Sequence, residues 1–206
     1  MFNNKMALYA ITDDNLTPDE SILEQVRESL EAGIAILQYR NKIKSDVEVK
    51  EICIELQKMC REYSVPFIID DRPHLAQEIK ADGLHIGKDD MPLKEARAIF
   101  TDGIIGVSCY GSVSKAKEAQ DEGASYVAFG SFFPSPTKPH SGIVSRNVIQ
   151  KAKKALDIPV CVIGGISHAN INEIVQENPD MVSLVSAVYS GCITSNVKNL
   201  LKELGV

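Results

Sequence analysis

Residues 34–42 read Ile34, Ala35, Ile36, Leu37, Gln38, Tyr39, Arg40, Asn41, Lys42, an apolar run that ends in a polar and basic exit. Seven other short runs rich in Val, Ile and aromatic residues recur along the chain. They span Leu8 to Thr12, Pro66 to Asp70, Gly83 to Ile86, Ile104 to Ser108, Tyr126 to Gly130, Pro159 to Ile163 and Met181 to Val185. Most of them also end in a residue able to bind an anion, a metal or a proton. Helical patterns separate the runs, and a parallel connection needs a crossover, usually a helix. The reading is an α/β chain folded as a (β/α)8 TIM barrel, in which the C-terminal ends of the strands build the active site.

The helical segments carry their own signals. Ile22, Val26 and Leu30 fall at intervals of four after Ser21 and stop at Gly33, a usual residue just past a helix end. From Asp46 to Tyr63, the residues Val49, Ile52, Cys53, Leu56, Met59 and Cys60 form one apolar stripe that Pro66 terminates. Pro92 opens the first turn of a helix carrying Leu93, Ala96, Ala98 and Ile99, and shorter helices are expected over 112–122 and 148–156. Ser131 to Ser145 breaks this rhythm with Pro134, Pro136, Pro139 and Gly142. Connections of about fifteen residues inside a compact domain are usually functional or disordered.

A chain of 206 residues has room for eight β/α units and little else, so one catalytic domain over 1–206 is expected. Hydrophobic residues at 44% and charged residues at 24% match ordinary globular usage. The net charge of −6, with Lys and Arg scattered among acids, argues against nucleic acid as a partner. Small anions remain eligible ligands: exposed charges are screened beyond about 8 Å, whereas one opposite charge at 4 Å contributes roughly 4 kcal/mol at an effective dielectric of 20. Five scattered cysteines without a C-x-x-C pair read as buried small hydrophobes in a reducing compartment. The start of the chain, with Asn3, Asn4 and Lys5, has no apolar leader core, and no stretch approaches a membrane span. A cytoplasmic protein acting on small molecules, without a membrane partner, is expected. A homo-oligomer is compatible with the sequence, but no pattern in it specifies one.

Alternation sends Gln38 and Arg40 to one side of their strand, which in a barrel can be the interior mouth. Arg40 and Lys42 suit phosphate oxygens, the first as a planar fork and the second as a point charge; a solvated basic loop is the alternative. Two acidic pairs follow the next strands, Asp70 with Asp71 and Asp89 with Asp90. Carboxylates at a barrel mouth suit Mg²⁺, which is often held by one or two carboxylates plus substrate phosphates. An acid/base pair is also open, as is a purely structural role in which Asp90 caps the helix near Pro92 and Asp71 binds Arg72. In the long connection Ser135, Thr137 and Lys138 match an oxyanion or diphosphate. Gly164 and Gly165 after the seventh run, with Val185 and Ser186 after the eighth, occupy the positions where barrels frequently bind phosphate. Ser108 lacks a triad pattern and reads as a hydrogen-bond donor to substrate. The four histidines read as structural.

These residues resemble the thiamine phosphate synthase family. Gln38, Arg40 and Lys42 match its Q-x-R-x-K motif, and Asp71 and Arg72 match the D-R of N-D-R. Gly83, His85, Gly87 and Asp90 fit G-x-H-x-G-x-x-D, and Gly106, Val107 and Ser108 fit G-x-S. Tyr126 through Gly130 to Pro139 is similar to the family's Y-V-x-x-G-x-x-x-P-[ST]-x-T-K loop, and Gly164, Gly165, Ile166, Val185 and Ser186 fit its closing phosphate segments. The resemblance implies condensation of 4-amino-5-hydroxymethyl-2-methylpyrimidine diphosphate with 4-methyl-5-(2-hydroxyethyl)thiazole phosphate. It places Mg²⁺ on Asp71 and Asp90. Arg40, Lys42, Ser108 and Lys138 then carry the chemistry at the diphosphate, beside the Asp70 position. Ser135, Thr137, Gly165, Val185 and Ser186 face the thiazole phosphate, and Gln38 lies near the pyrimidine.

One departure is Asp70, which stands where the family usually has Asn. A negative charge there calls for a second metal contact or an outward turn. Two rival readings share the barrel. A thiazole tautomerase-like isomerase would carry a histidine after the serine of the fifth strand, where this chain has Cys109 and Tyr110. A non-catalytic phosphate-binding barrel would bind ligand without turnover.

Overall fold

The computed structural model describes residues 6–135 and 142–206. Strand and helix alternate as β1 (Ala7–Ile11), α1 (Ile22–Ala32), β2 (Ile36–Tyr39), α2 (Asp46–Glu62), β3 (Phe67–Asp70), α3 (Pro73–Ile79), β4 (Gly83–Ile86) and α4 (Leu93–Ile99). The second half continues with β5 (Ile104–Tyr110), α5 (Val113–Asp121), β6 (Tyr126–Phe129), α6 (Asn147–Ala155), β7 (Val160–Ile163), α7 (Ile171–Val175), β8 (Met181–Leu184), α8 (Ser186–Tyr189) and α9 (Ile193–Glu203). Every neighbouring pair is parallel, and β1 pairs with β8 through Ala7–Met181 and Leu8–Val182, which closes a barrel in the order β1 to β8. The expected (β/α)8 architecture is therefore present.

The pleat splits the apolar residues into two populations. Ala7, Tyr9, Ile11, Ile36, Ile68, Tyr126, Ala128, Cys161 and Met181 pack with one another inside the barrel. Their sequence neighbours Leu8, Leu37, Phe67, Ile69, Leu84, Val127, Val160 and Val182 face outward against the helices, in the larger core. That alternation is the two-residue period of a strand. It also sends Gln38, Asp70, His85 and Ser183, all buried, to the inner side nearer the strand ends.

Local chemistry sets the helix limits. Gly33 ends α1 at φ 108°, its N–H donating to the carbonyls of Ser29 and Leu30. Ser45 and Glu48 form a capping box on α2, with the Ser45 N–H donating to Glu48 Oε2 at 2.8 Å. Pro92, expected inside the first turn of α4, is instead its N-cap at ψ 146°, because the preceding loop arrives extended. At the opposite end of the barrel, Asp82 accepts from the Phe67 N–H at 2.9 Å and Asp180 accepts from the Val160 N–H at 2.7 Å, so side chains satisfy backbone donors at the strand starts.

No helix among the described residues is long and apolar enough to cross a membrane. Four of the five cysteines are buried as expected, but Cys192 is exposed at the start of α9. Its position on the outer ring of helices, before a polar turn, removes it from either core.

Burial pushes the thiols of Cys53, Cys60, Cys109 and Cys161 up to about 12, whereas the Ser195 hydroxyl beside Cys192 lowers its pKa. A native thiol titration with a disulfide reagent at neutral pH therefore shows one fast-reacting group, lost in Cys192→Ser, with the other four appearing only on unfolding. Leu200 of α9 is fully buried in the outer core. Leu200→Ala lowers unfolding free energy by about 2–5 kcal/mol in urea titration; a change within ~0.5 kcal/mol would contradict this packing.

Candidate active site

The ends of the eight strands open on one cavity of about 630 Å³. Its wall contains Gln38, Arg40 and Lys42 from β2 and its exit, Asp70 and Asp71 from β3, and Asp90 from the loop after β4. Ser108 comes from β5, Ser135 from the loop after β6, Gly165 from the turn after β7, and Val185 and Ser186 from the end of β8. All eleven of the expected site residues that fall among the described residues, Asp71 and Asp90 included, thus line one cavity. Thr137 and Lys138 lie outside the described residues. A second cleft of about 860 Å³, lined by Arg61, Lys80, Asp82 and Asp102 among others, opens at the strand starts, away from these groups.

The cations are held by carboxylates. Arg40 Nε lies 3.7 Å from Asp70 Oδ2 and its Nη1 lies 3.9 Å from Asp13 Oδ2. Lys42 Nζ lies 3.3 Å from Asp70 Oδ2 and is also paired with Asp71 Oδ2. Asp70, only 9% exposed, does not turn outward: it sits between the two cations, and this pairing offsets the charge that Asn would not carry. The basic exit of β2 is therefore not a loosely solvated loop.

Arg72 fixes that exit from below. Its Nη2 donates to the carbonyls of Asn41 and Lys44 at 2.6 Å each, and its Nη1 pairs with Asp46. Asp71 does not bind Arg72; at φ 60° its backbone turns the carboxylate toward Lys42 while its N–H donates to the His85 carbonyl at 2.8 Å. Asp90 does not cap α4 either. Its Oδ2 accepts from the Gly87 N–H at 2.7 Å, closing the turn that follows β4.

A glycine shapes the wall after β7. A Cβ on Gly165, at φ 67°, would stand 2.4 Å from the Phe133 carbonyl oxygen, so only glycine lets the loop after β6 approach. That loop is anchored at both described ends: Phe133 N–H donates to the Gly164 carbonyl at 3.0 Å, and Val144 N–H to the Ser131 carbonyl at 2.7 Å. Ser135 thereby shares the cavity wall with Gly165, Val185 and Ser186.

The floor holds Tyr9, Tyr126 and His85, to which the sequence reading gave no site role. Tyr9 and Tyr126 are fully buried with their hydroxyls 2.9 Å apart, and Gln38 Nε2 donates to the Tyr9 hydroxyl at 2.7 Å. His85, read as structural, lies in the cavity wall with Nδ1 2.9 Å from the Tyr126 hydroxyl and Nε2 2.9 Å from Ser108 Oγ. Burial raises both phenols well above the ordinary tyrosine range, so they stay protonated. A signal was available: the pleat turns both tyrosines inward, and a buried phenol needs a hydrogen-bond partner. The Tyr126 ring crosses the interior only because residue 106 is glycine, where a Cβ would stand 2.0 Å from the ring.

Among the described residues no three His, Cys, Asp or Glu side chains group as a metal cluster. Asp71 and Asp90 nonetheless share the cavity with Arg40 and Lys42, a set suited to anions and to a hard cation that draws its remaining ligands from substrate.

Comparison with known proteins agrees with this geometry. Residues 8–188 match the model of the thiamine monophosphate synthase family. The thiamine-phosphate synthase of Wolinella succinogenes is 42% identical over 194 residues, covering 93% of this chain and 89% of that protein. That of Methylococcus capsulatus is 40% identical over 198 residues, 96% of this chain and 87% of its own. Among solved structures, thiamine phosphate pyrophosphorylase from Pyrococcus furiosus superposes with a TM-score of 0.89 at 35% identity, covering 98% of this chain and 96% of that one. The geranylgeranylglyceryl phosphate synthase of Thermoplasma acidophilum, at 16% identity and a TM-score of 0.71, shares the fold alone. By sequence match over most of its length, the chain belongs to the thiamine monophosphate synthase family.

Proposed function

We propose that this chain is a thiamine-phosphate synthase, a transferase that joins the pyrimidine diphosphate to the thiazole phosphate and releases diphosphate. The observation that carries the reading is the convergence of Arg40, Lys42, Asp71, Asp90, Ser108 and the Gly165–Ser186 side in one cavity. No side-chain nucleophile is required. The C–O bond to the diphosphate breaks with its electron pair leaving on oxygen, the aminopyrimidine supports the methylene cation, and the thiazole nitrogen closes the new C–N bond.

Residues of the chain supply binding, orientation and charge. Arg40 and Lys42 face the diphosphate, where negative charge builds as the bond breaks, and fixed cations act most strongly there because they need no reorganisation. Ser108 donates a hydrogen bond to the same group, and Lys138 adds a third cation. Gln38 meets the pyrimidine. Ser135 and Thr137, with Gly165, Val185 and Ser186, take the thiazole phosphate. Asp71 and Asp90 would hold Mg²⁺, whose role is to neutralise charge on the departing diphosphate. Asp71 already grips a cation, Lys42, which supports its fit to a metal and would free Lys42 for phosphate oxygens when the carboxylate is otherwise engaged. The chain is read as one cytoplasmic catalytic domain acting on small molecules, without nucleic acid or membrane partners; a homo-oligomer is compatible with that reading.

Purified protein incubated with both substrates and Mg²⁺ yields thiamine phosphate and diphosphate; absence of product retires the reading in favour of an isomerase or a non-catalytic phosphate-binding barrel. Asp71→Ala and Asp90→Ala each abolish metal-dependent turnover while leaving the circular dichroism and unfolding midpoint near wild type, since rim residues contribute little to the core. Unchanged turnover would reduce both to turn-forming roles. Asp70→Asn removes the anion that competes with diphosphate for Arg40 and Lys42, so affinity for the pyrimidine diphosphate is preserved or improved. A loss of more than about tenfold, or roughly 1.4 kcal/mol, would contradict this account of the position.

A further inference from the structure

Beneath the cation cluster, five side chains from five strands form one unbroken chain of hydrogen bonds, Gln38–Tyr9–Tyr126–His85–Ser108, with links of 2.7, 2.9, 2.9 and 2.9 Å. Four of its members are buried, and Ser108 reaches the cavity at the end of β5. Such a network costs stability unless each member is satisfied.

Counting protons gives the chain a direction. Gln38 Nε2 donates to Tyr9, so the single Tyr9 proton serves the next link and goes to Tyr126. Tyr126 in turn has one proton, which goes to His85 Nδ1. That nitrogen must then be bare, and the imidazole proton sits on Nε2, where it donates to Ser108 Oγ. With Oγ accepting, the Ser108 proton is left to point into the cavity. At the other end the Gln38 carbonyl oxygen is not needed by the chain. Reversing every link would instead present Ser108 lone pairs to the ligand, which is unfavourable against an anion.

We infer that Tyr9, Tyr126 and His85 are positioning residues: a buried one-way relay that makes Ser108 a committed donor to the departing diphosphate and Gln38 a committed acceptor for the pyrimidine amino group. The inference rests on the transferase reading for its ligands, whereas the direction of the relay follows from the Gln38 amide donating to Tyr9 and each later proton serving the next link. The relay matters most when charge develops on the leaving group, so its loss falls on kcat more than on KM.

Nitrogen-15 NMR of histidine-labelled protein, with the His85 signals assigned by their loss in His85→Asn, reads the tautomer directly. The expected state is neutral with the proton on Nε2; a proton on Nδ1, or on both nitrogens, at neutral pH overturns the direction. In the thiamine phosphate assay, Tyr126→Phe keeps the ring but removes the link; partners that orient metal-ligating histidines typically carry about 10–100-fold in activity, and an effect of that order is the measure here. The expected result is a kcat loss in that range with KM for the pyrimidine diphosphate little changed. Combining Tyr126→Phe with Ser108→Ala should lose no more than Ser108→Ala alone, because both act through one hydroxyl. Wild-type kcat in Tyr126→Phe, or losses that multiply in the double variant, overturns the positioning role. A protein with the expected tautomer that makes no thiamine phosphate supports the direction of the relay and overturns the transferase reading instead.

Discussion

Closure of the parallel ring is the constraint from which the rest of the molecule follows. Once β1 pairs with β8, all eight strands point the same way, no edge is left open, and every strand delivers its last residue to the same rim. Pleat parity then decides each side chain's environment. Apolar residues of inward parity fill the lower interior, while the polar ones, Gln38, Asp70, His85 and Ser108, emerge near the mouth. Helices α1 to α9 bury the outward set and leave the loops at the strand ends free to carry chemistry.

Charge at that mouth is arranged locally and against the sign of the whole chain. The net charge of −6 would repel a diphosphate, yet Arg40 and Lys42 stand at the cavity wall, fixed by Asp13, Asp70 and Asp71 and by the hold of Arg72 on the preceding loop. Carboxylates that restrain the cations reduce the entropy lost on binding but also compete with the ligand. Asp70 is the clearest case, since an amide there would restrain less and compete less. The floor differs in kind: Gln38, Tyr9, Tyr126, His85 and Ser108 form one largely buried chain of hydrogen bonds, so it contributes orientation.

Much of the candidate site's lining was legible in the sequence because its signals are local. The period-two runs, the Gln38–Arg40–Lys42 exit, the Asp71 and Asp90 positions and the glycines after β7 each depend on a few neighbouring residues and on the rule that strand ends converge. Where the site depends on distant partners, local reading fell short. Asp71 pairs with Lys42 rather than the adjacent Arg72, and Asp13 enters the cluster from β1's exit without any motif to mark it; Asp90 is a local exception, closing its own turn on Gly87 instead of capping α4. His85 looked structural until its two ring nitrogens were placed between Tyr126 and Ser108.

The sequence by itself determined the barrel, the order of its elements and the residue types that reach the rim, because hydrophobic periodicity and turn chemistry act over a few residues. Only the tertiary structure decided which of those residues touch. Tyr9 and Tyr126 are 117 positions apart and meet because ring closure, the pleat and the missing side chain at Gly106 bring their hydroxyls to one point. No local pattern encodes that meeting, since hydrogen-bond partnership is a property of three-dimensional distance.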